Sequence, residues 1–167
     1  MSIVKRWSII AMLLAMAIVL SIMESFIPVW IPGVKLGLAN VIILIMLYEF
    51  KSSEAFLVQL LRIVLASIMR GTFLGPSFAM SIAGGLLAFI VMFLFVRIKI
   101  FTPLGVSSIS AVAHATGQIL AAMWLLGTTA VMYYLPFIML LSLATGILSG
   151  FIADSYLKRS ITSRFIS

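Results

Sequence analysis

Apolar residues fill long blocks of this 167-residue chain, and polar residues gather in short breaks between them. A helix that crosses a bilayer needs about 20 mostly apolar residues. The blocks predict six helices, at about 7–26, 36–50, 53–69, 77–98, 107–126 and 132–157. The second is short for a full span. Pro28 and Pro32 stop the first helix, because proline removes a backbone donor and restricts the residue before it. "GTFLGPS" (71–77), "KIFTPLG" (99–105) and "GTT" (127–129) carry the Gly, Pro and Thr signals of turns. Pro136 falls near the start of the sixth helix, where proline is tolerated. No repeat, heptad or low-complexity tract interrupts the pattern. The expected fold class is an all-α polytopic membrane protein, with residues 1–167 as one transmembrane domain.

Composition agrees. Hydrophobic residues make up 64% of the chain and charged residues 9%. A soluble domain of this size needs a largely polar exterior that this chain cannot supply. Lys5 and Arg6 precede an apolar stretch, and Ala15-Met16-Ala17 resembles a signal-peptide cleavage site. The stretch runs on to Met23, so a retained first helix is expected. The net charge of +7 sits at the ends of apolar runs, which points to topology rather than to nucleic acid. With the N-terminus inside, Lys5, Arg6, Lys51, Arg97, Lys99, Lys158, Arg159 and Arg164 fall on the cytoplasmic side. Only Lys35 and Arg70 fall outside, and Arg62 lies within the third helix. Both termini are therefore expected in the cytoplasm. The chain has no cysteine, so disulfides and cysteine-ligated metals are excluded.

Polar side chains within spans are expensive and usually face protein or water. Six stand out: Glu24, Asn40, Gln59, Arg62, His114 and Gln118. Gln59 and Arg62 are three apart on one helix face, and His114 and Gln118 are four apart on another, one turn after Ser110. Glu24 and Asn40 fall at the outer ends of the first two helices, near Lys35 and Arg70 in the outer loops. Each residue taken singly fits an interhelical contact, such as a Glu24–Arg62 or Glu24–Lys35 ion pair, and a lone His114 fits a satisfied core histidine. As a set they predict one outward-opening cavity. Three cations, one carboxylate and several amides suit an anionic or zwitterionic small molecule. Phe26, Trp30, Phe73, Phe78 and Trp124 are expected near its walls. Small pairs, Ala11/Ala15 and Gly146/Gly150, allow close helix approach, as does Gly84-Gly85.

Several chemistries are missing. The four acidic residues (Glu24, Glu49, Glu54 and Asp154) are scattered, so no paired-carboxylate magnesium–diphosphate site is expected. There is no GxxxxGK[ST] nucleotide loop. One histidine without cysteine leaves no conventional zinc site. Neither a cofactor nor catalysis by this chain alone is expected.

"ESFIPVWIPGVKLGLANVIIL" (24–44), Arg62, "SIAGGLLA" (81–88) and "HATGQ" (114–118) resemble the Gx-transporter family, also labelled heptaprenyl diphosphate synthase component I. The likeness covers nearly the whole chain and is most specific at "PGVKLGLAN". The family commonly has Asn after the histidine, where this chain has Ala115. That family is similar to the substrate-binding S components of energy-coupling factor (ECF) transporters, six-helix proteins of prokaryotic plasma membranes that bind vitamin-like micronutrients near the outer surface. The resemblance implies a 27–37 loop closing over the ligand, with Pro28, Pro32, Gly33 and Gly37 shaping it, and a contribution from the 70–77 loop. It also implies that Ala11 and Ala15 dock on a transmembrane T component driven by two cytoplasmic ATPases. Lys35 would bring charge to the ligand, and Asn40 would anchor the return into the second helix.

Three function classes follow. A solute-binding transport subunit predicts a polar set open outward and a free face on the first helix. A membrane partner of a soluble prenyl diphosphate synthase predicts function on the cytoplasmic side, where only short basic loops are available. A structural subunit of an electron-transfer complex lacks cofactor ligands. Riboflavin-like, thiamine-like, quinone-precursor and prenyl-phosphate ligands all remain compatible.

Overall fold

The computed structural model describes residues 3–26 and 37–166, with side chains described as far as Arg159. Six α-helices lie in this part of the chain: α1 (Ile3–Glu24), α2 (Asn40–Glu49), α3 (Ser52–Met69), α4 (Pro76–Ile98), α5 (Pro103–Leu126) and α6 (Leu135–Ile166). A 3-10 turn, Thr129–Tyr134, leads into α6. Among the described residues five helical stretches are long and apolar enough to cross a membrane, which makes the chain a multi-pass membrane protein.

The exception is α2. It was expected over 36–50 but begins at Asn40, after a turn at Gly37–Ala39 in which Gly37 takes φ +87°. Only glycine adopts that conformation without strain. Ten residues rise about 15 Å, half of a hydrocarbon core. Residues Asn40 to Leu47 are all buried. A helix that is apolar all round belongs inside the bundle rather than at its surface. Its Ile43, Leu44 and Met46 are fully enclosed, and Val58, Phe89, Met92 and Val106 from three other helices share that core.

Helix starts differ from the hydropathy reading where capping decides. α5 begins at Pro103 rather than 107, because the Thr102 hydroxyl accepts from Gly105 N at 3.3 Å and proline suits the first helical turn. α4 opens the same way on Pro76. The sixth helix was expected from 132, but the first residues after Thr128 coil as a 3-10 turn.

The tightest packing joins α4 to α5 and α5 to α6. A Cβ on Gly117 would stand 2.7 Å from the Ala83 carbonyl oxygen. One on Gly150 would stand 2.6 Å from Leu104 Cα, and one on Gly146 2.7 Å from Ala111 Cβ. Gly146 and Gly150 are therefore consumed by packing within the chain. α1 lies against α3 and α2. At the N-terminal end Arg6 holds Glu54 of α3 through two bonds, 2.7 and 3.0 Å. Ala11 and Ala15 are exposed, on a face that also carries Met12, Met16 and Val19.

Candidate functional site: a buried polar network at one end of the bundle

Consecutive helices alternate direction. The end of α1, the starts of α2 and α4 and the ends of α3 and α5 thus meet at the end of the bundle away from the N-terminus. The six polar residues singled out in the sequence, Glu24, Asn40, Gln59, Arg62, His114 and Gln118, are all buried in that half, with Ser21, Ser67 and Ser81 beside them.

Arg62 organises the cluster. Its Nη2 donates to Asn40 Oδ1 at 2.5 Å and its Nε to Gln59 Oε1 at 3.0 Å. The Gln59 amide then donates to the Gly85 carbonyl at 2.7 Å, tying α3 to α4. An uncompensated guanidinium at this depth is costly, and these two bonds satisfy part of it. The expected ion pair is replaced as the main bonding of Arg62. Glu24 Oε1 instead accepts from the backbone N–H of Leu38 at 2.7 Å, fastening the turn before α2. The Glu24 carboxylate still acts on both Arg62 and Arg70 electrostatically.

His114 and Gln118 close the other side. Their Nε2 atoms lie 2.6 Å apart. With the Gln118 amide donating, the imidazole accepts at Nε2 and carries its proton on Nδ1. Gly84 admits this pair: a Cβ there would lie 2.6 Å from Gln118 Cγ and 2.8 Å from the His114 carbonyl oxygen. Gly37 sits over the cluster, 3.1 Å from Asn40 Nδ2 and 3.4 Å from His114 Cδ2 as measured from an added Cβ. The "GLAN", "AGG" and "HATGQ" segments and Arg62 thus meet at one place.

Arg70 caps α3 at the same end. Its Nε donates to Ala66 O at 3.0 Å. Burial pushes its guanidinium below the usual arginine range, while Glu24 pulls in the opposite direction. Asn40 Nδ2 and Arg70 Nη2 are buried donors that meet no acceptor among the described residues, as is the Ser142 hydroxyl of α6.

Lys35, Pro28, Pro32, Gly33 and Trp30 lie outside the described residues. The expected aromatic wall is largely displaced. Phe26 and Trp124 are 80% and 82% exposed, Trp124 at a helix end where tryptophan anchors at a membrane interface. Phe73, in the turn after α3, pairs edge to face with Phe78 of α4 at 5.0 Å. Sequence reasoning took Gly84 and Gly85 for generic close packing and passed over Gly117. Their adjacency to the polar motifs was the available signal: each glycine lies opposite a polar side chain or another glycine.

A family model described as "Heptaprenyl diphosphate synthase component I" matches residues 13–156. That stretch contains every residue of the network. No curated protein and no solved structure matches the chain.

Proposed function

The chain belongs to the heptaprenyl diphosphate synthase component I family, and from that premise we propose that it is the substrate-binding membrane subunit of an ECF-type importer. It captures a small anionic or zwitterionic solute from outside a prokaryotic plasma membrane and has no catalytic step of its own. One observation carries the reading. Asn40 and Arg70 each present a buried donor that meets no acceptor among the described residues, beside a network built on Arg62. Buried donors are normally satisfied, and leaving one unmade costs about 1–3 kcal/mol. A ligand bringing carboxylate, phosphate or carbonyl oxygens supplies what both lack. The lysine and arginine pattern supports an outward-facing network, because the basic residues concentrate at the opposite end. Ala11 and Ala15, exposed on α1, give a T component a close-approach surface. The cytoplasmic ATPases then supply the energy.

The family's description favours a second reading, a membrane subunit that partners a soluble heptaprenyl diphosphate synthase. Affinity capture of the full chain from mildly solubilised membranes separates the two. Recovery of a membrane T-type protein with ATPase subunits supports the importer, and loss of that recovery in Ala11→Leu/Ala15→Leu supports the docking face. Recovery of a soluble prenyl synthase alone, unaffected by that variant, replaces the importer with the synthase reading.

A further inference from the structure

The opposite end of the bundle holds a groove that the polar network does not use. It is about 410 Å³ in volume and lies between the end of α2, the end of α4 and the turn into α5. Leu47 and Val96 form its apolar side, Tyr48 and Phe101 its aromatic side, and Arg97 and Lys99 its charge. No carboxylate lines it. Of the nearby acids, Glu54 pairs with Arg6 and Asp154 with Lys158 at 2.6 Å, while Glu49 follows the groove's Tyr48 in sequence and the Asp154 charge also acts on Tyr48.

Both cations are exposed; a ring contact holds the Arg97 side chain, and the backbone turn sets where Lys99 leaves the helix. The Arg97 guanidinium stacks over the Phe93 ring at 5.0 Å, which restrains a side chain that otherwise sweeps freely. Lys99 ends α4 with φ +58°, in the left-handed region. Glycine or asparagine ordinarily fills that capping position, since a Cβ there is strained. The turn packs Phe101 edge to face on Phe95 at 4.9 Å and delivers the chain to Pro103 at the groove's rim. A lysine at a position glycine ordinarily fills, beside an arginine stacked on Phe93, sets two cations against one apolar groove with no carboxylate in its lining.

We propose that this groove binds the phosphate of a membrane lipid or lipid-linked phosphate, Arg97 and Lys99 holding the phosphate oxygens and Leu47, Val96 and Phe101 meeting the attached apolar chain. A guanidinium and an ammonium together suit a phosphate, the first as a fork and the second as a point charge. The groove opens at the membrane-interface end of α4, the depth at which a headgroup lies. The site is independent of the outward network, so it stands whichever functional reading holds.

The test is native mass spectrometry of the full-length chain in detergent, titrated with dioctanoyl phosphatidylglycerol, uncharged dioctanoylglycerol and inorganic phosphate. The phosphatidylglycerol adduct is expected to form about tenfold more tightly than the uncharged adduct, a difference within reach of one or two charge-assisted bonds. Arg97→Gln and Lys99→Gly each remove most of that preference. Lys99→Gly also relieves the left-handed backbone, so its melting temperature stays level or rises, and lost binding is not misfolding. Lys158→Gln, at the same end but paired with Asp154, keeps the preference. An equal loss in Lys158→Gln, or none in Arg97→Gln and Lys99→Gly, overturns the proposal. Inorganic phosphate binding as tightly as the lipid also overturns it, in favour of a soluble anion.

Discussion

Arg62 of α3 donates to the side-chain oxygen of Asn40, the first residue of α2, at 2.5 Å. That bond joins a guanidinium within a span to the start of a helix too short to span. Without it, Asn40 Oδ1 and Gln59 Oε1 lose their donor in a buried site. Arg62→Leu should therefore destabilise the protein by about 2–4 kcal/mol, read as thermal unfolding in detergent. The double variant Arg62→Leu/Asn40→Leu should lose less than the sum of the two single variants, because it removes donor and acceptor together. Additive losses would show that the two residues act apart.

Glycines at the α4–α5 crossing should rank by what a methyl group meets. At Gly117 it meets the backbone of Ala83 and Gly84 at 2.7–3.0 Å, which cannot yield without moving a helix. At Gly127 nothing lies within 4 Å, and only the left-handed backbone, φ +62°, opposes the change. Gly127→Ala should cost about 1–2 kcal/mol. Gly117→Ala should cost clearly more, up to about 3 kcal/mol beyond any backbone effect. Unfolding measured on both variants checks the order.

How much of this was legible beforehand varies by element. Hydropathy located the long helices because an apolar run of membrane length has few alternatives, and the polar residues inside them were conspicuous for the same reason. The start of α2 was not legible. Leu38 and Ala39 are as apolar as the helix that follows, and the positive φ of Gly37 and the Glu24–Leu38 bond shape the turn that holds them outside it. The long-range pairings were equally hidden. Gln59 bonds a backbone carbonyl, at Gly85, and backbone acceptors carry no residue signature. Trp124 was misplaced because hydropathy does not say which face of α5 meets lipid.

Gly146 and Gly150 have a consequence for assembly. Their spacing is that of a helix-dimer motif, yet both are pressed against Leu104, Ser107, Ser108 and Ala111 of α5. Gly150→Ala should lower stability by about 1–3 kcal/mol and leave the oligomeric state unchanged. Size-exclusion chromatography with light scattering distinguishes this from an intermolecular role, in which mass rather than stability would fall.

The chain has no cysteine, so single introduced cysteines report its sidedness cleanly. Ser25→Cys, exposed just beyond α1, should react with a membrane-impermeant maleimide in intact cells. Ile100→Cys, exposed in the turn after α4, should react only after the membrane is opened. The reverse pattern would place the polar network on the cytoplasmic side and remove the basis for uptake.

The most direct test of capture at the network is native mass spectrometry of the purified chain, comparing the wild type with Arg70→Gln. Arg70 lies at the end of α3 beside the cluster, and among the described residues its side chain bonds only its own helix, from Nε to Ala66 O, so the fold should survive its replacement. The account predicts a small acidic or zwitterionic metabolite that travels with the wild type and is lost, or weakened about tenfold, in Arg70→Gln. A wild-type protein that stays empty when offered a metabolite extract, or a bound molecule indifferent to Arg70→Gln, would contradict it.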